Sequence, residues 1–309
     1  MTPSSLLSSI VAHFRRRSSV PCVQLEVRPD GLAWAVSSGQ HGQTAGFAEC
    51  SPARRESTLS ALVAENGWAG AKTTIVLPMD QYQVFQVERP EGVNDEELSD
   101  ALKWKLKDFL DYSPSDAVSD VFECPEDATR GRGRLVNVVA VRKSLARELV
   151  EMVSGVGLAI ERIDIAELAL RQFAAGLDRG GHGVAVVHLR ERYGQLVICR
   201  GEMLYLSRRL DLSDDELRDA ATQDAAVQSL ALEIQRSLDY YESQLGQSPP
   251  STLHLLSRDS VLPLPSMLST YLATRVVTPE WSEHGFQDEP DSRCLPAWCA
   301  GLTLPGGGE

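Results

Sequence analysis

The run Pro21-Cys22-Val23-Gln24-Leu25-Glu26-Val27-Arg28-Pro29-Asp30-Gly31-Leu32-Ala33-Trp34-Ala35-Val36 reads as two short strands around a tight turn. Apolar residues alternate from Pro21 to Val27, Arg28-Pro29-Asp30-Gly31 carries turn chemistry, and Leu32 to Val36 is a compact strand. A weaker strand at Thr44 to Phe47 follows, then a helical stretch at Arg55 to Glu65 with Leu59, Leu62 and Val63 on one face. The same order returns in the second half. Val184 to Leu189, Gln195 to Cys199 and Met203 to Leu206 read as strands, with turns at Arg192-Tyr193-Gly194 and Gly201-Glu202. A long helix comes next: Leu230, Ile234, Leu238, Tyr241 and Leu245 recur at steps of four, four, three and four, and Gly246 with Pro249-Pro250 ends it. A strand–strand–strand–helix unit that occurs twice predicts a duplicated, two-lobed α/β architecture.

A third unit lies between the two. Thr73 to Leu77 and Tyr82 to Val87 read as strands, and Asp95 to Asp111 as a helix capped by Asn94 or Asp95. On that helix Leu98, Leu102, Leu106 and Phe109 form the expected core stripe, leaving Trp104 on the exposed face. Strands near Ser119 to Glu123 and Leu135 to Val141 form a hairpin, and a helix from Ser144 to Val153 stops at Gly155 and Gly157. A strand at Ala159 to Ile165 leads into a helix from Ala166 to Ala174. This β-β-α-β-β-α pattern suggests a compact insertion within the first lobe.

With 309 residues the chain is long enough for two domains, and its formal net charge of −13 repels phosphate backbones, so no nucleic-acid partner is expected. Cys22, Cys50, Cys124, Cys199, Cys294 and Cys299 are scattered without a C-x-x-C pair, which argues for reduced, mostly buried thiols and against a disulfide framework or a zinc site. No stretch approaches the roughly 20 apolar residues that span a bilayer. The apolar patch Ser5 to Phe14 precedes Arg15-Arg16-Arg17, the wrong order for an export signal. It reads either as a frayed tail or as a weak contact to an anionic membrane surface. The acidic stretch Ser282 to Ser292 reads as a loop, and Gly306 to Glu309 as a disordered end.

Three segments carry a family resemblance. They are Ala101-Leu102-Lys103-Trp104-Lys105 through Tyr112-Ser113-Pro114, then Ala140-Val141-Arg142-Lys143 through Gly157-Leu158 to Asp164-Ile165-Ala166-Glu167, and Leu230 through Tyr241. In this order they resemble the PilM family of type IV pilus assembly proteins, including its MshI branch from mannose-sensitive haemagglutinin (MSHA) pili. None is a catalytic signature.

The resemblance implies an actin-like α/β fold related to FtsA: duplicated ribonuclease-H-like lobes face a cleft, and the first carries an inserted α+β subdomain. On that plan residues 1–19 are a tail, 20–180 lobe I with the insertion at 79–160, 181–305 lobe II, and 306–309 a tail. The segment Pro296 to Leu302 would be the closing helix that returns to lobe I.

Actin-like ATPases hold phosphates with one hairpin from each lobe, each needing an Asp near the metal and Gly where backbone must approach phosphate. Here Glu26 falls at the first Asp position, Arg28 at the Gly position, and Ala33 where Lys is usual, while Pro29 removes a backbone donor. In the second lobe His188 takes the Asp position and Arg190 the Gly position, and the adenosine-side Gly-Gly reads Leu255-Leu256-Ser257. All three elements depart from the pattern, so no ATP or Mg²⁺ cofactor and no hydrolysis are expected, although guanidinium groups bind phosphate well. There is no G-x-x-x-x-G-K-[ST] loop and no G-x-S-x-G elbow, and Gly155-Val156-Gly157 lacks a third glycine and precedes a strand.

The reading is thus a cytoplasmic, non-catalytic scaffold peripheral to the inner membrane. The resemblance implies capture of the N-terminal cytoplasmic segment of a PilN-like single-pass membrane protein, with Trp104 as a candidate contact, alongside other pilus assembly components. The rival is an active ATPase or small-molecule kinase of the same fold.

Overall fold

The computed structural model describes residues 21–37, 43–128, 133–212, 214–257 and 262–303, without the side chains of Trp104, Asp214 and Asp215. The two stretches read as tails, with Arg15, Arg16 and Arg17, lie outside the described residues.

Strands β1 (Cys22–Arg28) and β2 (Gly31–Ser37) pair antiparallel, with Arg28 opposite Gly31 across the Pro29-Asp30 turn. Strand β3 (Gln43–Glu49) adds to β2 so closely that a Cβ on Gly31 would meet the Ala48 carbonyl oxygen at 2.3 Å. Only glycine fits there. Helix α1 (Arg55–Asn66) follows and ends on Gly67 in the left-handed conformation, φ 67°. Strand β4 (Lys72–Leu77) pairs parallel with β1, and β8 (Ala159–Ile165) parallel with β4, giving the order β3-β2-β1-β4-β8.

The second sheet repeats this plan. Strands β9 (Val184–Leu189), β10 (Gly194–Arg200) and β11 (Met203–Leu210) form a meander, and β12 (Thr252–Leu256) and β13 (Arg275–Val277) join in parallel, in the order β11-β10-β9-β12-β13. The meanders expected near Pro21 and Val184 are both present.

Strand alternation decides what each sheet shows its neighbour. Val23, Leu25 and Val27 point outward into a core with Leu59 and Val63 of α1, and Ala185, Val187 and Leu189 point outward into a core with Leu230, Ile234, Leu238 and Tyr241 of α6 (Gln223–Ser243). The inner faces meet across helices α4 (Ala166–Leu177) and α8 (Leu295–Ala300), where one apolar cluster holds Ala35 and Val76 from the first sheet and Val186 and Val197 from the second. Phe173 and Trp298 fill its centre, rings 5.7 Å apart. Helix α8 lies on β1, β2 and β4 and against α4.

Between β4 and β8 the chain builds a separate sheet of β5 (Tyr82–Glu88), β6 (Ala117–Glu123) and β7 (Leu135–Arg142), in the order β5-β7-β6, with helices α2 (Asp95–Lys103) and α3 (Lys143–Gly155). Asn94 caps α2, its side-chain oxygen accepting from the Glu97 N–H at 2.9 Å. The single helix expected from Asp95 to Asp111 is corrected here. The α-helix stops at Lys103, and Trp104–Asp108 continues as a 3₁₀ turn. Tighter winding moves the apolar stripe: Leu106 stays buried, Leu110 takes the next core position, and Phe109 is 60% exposed.

Trp298, at 1% exposure, joins both lobes. Trp298→Ala is expected to cost about 3–5 kcal/mol in denaturant unfolding, whereas Leu232→Ala, on the exposed face of α6, should stay within about 0.5 kcal/mol.

Candidate functional site

Because Val23, Leu25 and Val27 turn outward, Gln24, Glu26 and Arg28 of β1 face the second lobe. By the same alternation His188 faces the first lobe from β9, and Arg190 follows where its N–H, bonded to the Tyr193 carbonyl at 2.9 Å, closes the β9–β10 turn. Glu26, Arg28 and Arg190 meet there, and His188 lies within the field of both arginines. Glu26 is fully buried, Arg28 is 2% exposed and Arg190 8%. Both Glu26 oxygens accept from Arg190: Nη1 donates to Oε2 at 3.3 Å, and Nη2 to Oε1. Arg28 adds an Nη1 donation to Glu26 Oε1 at 3.4 Å.

Arg28 also crosses between the lobes, donating from Nη2 to Glu191 at 2.7 Å, and it reaches Asp30 at 3.2 Å. Its own carbonyl accepts from Arg55 at 2.6 Å. In this cleft the lobes are thus joined by Glu26 with Arg190 and by Arg28 with Glu191. Burial works against the Arg190 cation, yet Glu26 holds its pKa above the ordinary guanidinium value. Burial likewise opposes ionisation of Glu191, but Arg28 outweighs it and lowers that carboxyl's pKa.

His188 carries no charge in this setting. Burial, then the Arg190 cation, lowers its pKa from 6.5 to about 3, and its Nε2 lies 3.2 Å from the Ser292 carbonyl oxygen. Ala33, directly across from Glu26 on β2, offers no side-chain charge. A cavity of about 170 Å³ remains at the mouth, walled by Arg28, Asp30, Asp80, Arg190 and Tyr193.

A second opening, of about 300 Å³, lies between the free edges of β6 and β8. Val118 to Phe122 form one wall, Ile163 to Ile165 the other, and Val139, Val141, Ala146 and Leu168 line it as well. Val118 (46%) and Ile163 (38%) are exposed there.

No family model and no curated protein matches this chain. Solved structures do. The PilM–PilN type IV pilus biogenesis complex superposes with a TM-score of 0.69 at 18% identity, over 90% of this chain and 96% of that one. The cytoplasmic domain of EpsL, an inner-membrane component of the type II secretion system of Vibrio cholerae, gives 0.54 at 14% identity, over 91% and 94%. A Bacteroides thetaiotaomicron protein of actin-like ATPase fold and unknown function gives 0.53 at 11%, over 85% and 92%.

The fold is actin-like.

Of the positions singled out in the sequence, Glu26, Arg28, His188 and Arg190 come together in the actin-like cleft. Ser257 stands just past the end of β12, and the side chain of Trp104 lies outside the described residues. Sequence reasoning missed Glu191 and Asp30, the acids that share Arg28. The alternating charges of Arg190-Glu191-Arg192 were the available signal. Among the described residues no cluster of three His, Cys, Asp or Glu side chains could hold a metal ion. The buried Cys199 and Cys294 thiols have pKa values pushed up to about 12, chiefly by burial, and are unreactive at neutral pH.

His188 makes stability pH-dependent in a defined direction. The unfolded chain takes up a proton near 6.5 that the folded chain refuses until about 3, so acidification favours unfolding. The expected slope is about 1.4 kcal/mol lost per pH unit below about 6.5. Urea midpoints between about pH 6.5 and 5 should show this slope, and His188→Gln should flatten it. Equal slopes in both proteins would contradict the assignment.

Proposed function

We propose that this chain is a non-catalytic scaffold of a type IV pilus assembly platform, of the MSHA (MshI) kind, at the cytoplasmic face of the inner membrane. It binds the N-terminal cytoplasmic segment of a PilN-like single-pass membrane protein and works without ATP or Mg²⁺. The observation that carries this reading is the ionic cluster in the cleft. Glu26, the carboxylate at a metal-binding position, already receives both arms of Arg190, and Arg28 and Arg190 stand where backbone would have to approach phosphate. The space left, about 170 Å³, falls below the roughly 300–1,000 Å³ of small-molecule pockets. These residues do not fit a magnesium nucleotide.

The likeness to PilM in a PilM–PilN complex supports the partner class, and EpsL likeness supports a place beside a membrane assembly. Among the described residues no helix is long and apolar enough to cross a membrane. The opening between β6 and β8 suits an extended segment. Its walls are two edge strands on which side chains, not a further strand, meet the Ser119 carbonyl and the Val121 and Ile165 N–H groups, and Val118 and Ile163 offer apolar contacts for alternate side chains.

Two measurements test the reading. Mg-ATP at about 1 mM should leave the melting temperature unchanged, whereas a site of about 10 μM affinity would add about 2.7 kcal/mol, a shift of several degrees. A clear Mg-dependent shift would favour an active ATPase or kinase instead. In titrations with the partner's N-terminal segment, Ile163→Asp should weaken binding at least about tenfold without lowering the melt. Trp104→Ala should cost about 2 kcal/mol of binding if its ring is a contact. Normal affinity in both variants would place the partner elsewhere.

A further inference from the structure

The 3₁₀ turn that ends α2 does more than shift a core stripe. Phe109, at 60%, is the most exposed large hydrophobic side chain among the described residues. Its ring leans on Phe85, centroids 5.5 Å apart. Lys105 and Lys107 are exposed on the same segment, and Lys103 is half-buried. Arg142 lies 4.1 Å over the Tyr112 ring and donates to Asp111 at 2.8 Å, which brings Arg142 and its neighbour Lys143 to this end of the subdomain. Lys103, Lys105, Lys107, Arg142 and Lys143 thus lie at this end of the subdomain beside four carboxylates, Asp100, Asp108, Asp111 and Asp116, a small local positive excess in a chain whose net charge is −13. Arg142 already neutralises Asp111.

We propose that this turn docks on an anionic lipid bilayer, with Phe109 entering the interfacial layer and Lys103, Lys105 and Lys107 meeting lipid phosphates. Lysine is suited to this, because its stem lies along apolar surface while the ammonium reaches a charged headgroup. An anionic surface attracts a local cluster of this sign over a Debye length and repels the acidic remainder, so charge also sets the orientation. The register adds a consequence that rests on the proposed partner site. Arg142 pairs with Ala117, the first residue of β6, so the turn stands at the end where the β6–β8 opening begins. Docked this way, the turn brings that end of the opening close to the bilayer from which a single-pass partner's segment emerges.

The test uses the full chain without any partner, co-sedimented with vesicles of phosphatidylethanolamine and phosphatidylglycerol and, in parallel, with phosphatidylcholine vesicles. Binding is expected to the first alone and to fall as salt rises. Phe109→Ser should reduce it about tenfold, and Lys103→Glu, Lys105→Glu and Lys107→Glu combined should abolish it. Melting curves check that neither Phe109→Ser nor the lysine variant has loosened the fold, and the lysine changes give the answer independently of the Phe85 contact. If the lysine variant sediments like the parent, or only the combined Arg15→Ser, Arg16→Ser and Arg17→Ser loses binding, the N-terminal stretch carries the contact and the proposal fails. No binding of the parent to either vesicle also overturns it. Titration of the lysine variant with the partner segment keeps this outcome separate from the scaffold reading, which predicts that capture survives.

Discussion

Glu26 is the constraint on which the arrangement of the lobes turns. A carboxylate with no exposure to water costs several kcal/mol to bury, and only closely held cations offset that cost. Both come from arginines, one on its own hairpin and one from the other lobe. Separating the lobes would strip Glu26 of Arg190 and Arg28 of Glu191 together. In an actin-like fold the cleft is where ligand-dependent closure would occur, and here protein charges occupy it. The apolar cluster around Phe173 and Trp298 continues the same interface deeper between the sheets.

Much of this was legible in the sequence, and the failures have local causes. Period-two alternation and the Pro29-Asp30 turn fix the first meander, and the second follows from the same signals around Tyr193-Gly194. It was the family resemblance that assigned Glu26, Arg28 and His188 to one cleft, and the strand alternation seen in the structure agrees with it. What their charges would do there was not legible. An arginine at a phosphate-binding position can bind phosphate or fill the space with a protein ion pair. The choice depends on Glu191 and Glu26, each supplied by the lobe opposite its arginine. Phe109 was misassigned because α-helical periodicity was carried past Lys103. The 3₁₀ turn before Ser113-Pro114 moves each later residue around the axis, and nothing in the hydrophobic pattern distinguishes Phe109 from Leu110 as the buried member.

The proposed function uses rigidity rather than turnover. A scaffold needs lobes that hold still while a strand edge remains open, and these two demands fall on different parts of the molecule. The ion pairs and the α4–α8 layer fix the lobes. The β6 and β8 edges lie at the junction of the subdomain and the first sheet, each with no strand on one side. Phe122 lies at this junction, lining the opening and packing against the inter-lobe cluster.

The central claim is that Glu26 and Arg190 stabilise the fold as a pair across the cleft. A double-mutant cycle with Glu26→Gln and Arg190→Gln, read by denaturant unfolding without nucleotide, measures this directly. Each single change should cost about 3–5 kcal/mol, because it takes from a buried charge the counter-ion that holds it with two hydrogen bonds. The double variant should be much less destabilised than the sum, with a coupling of about 2–3 kcal/mol. Additive effects, with a coupling within about 0.5 kcal/mol, would contradict the account and return the cleft to a ligand.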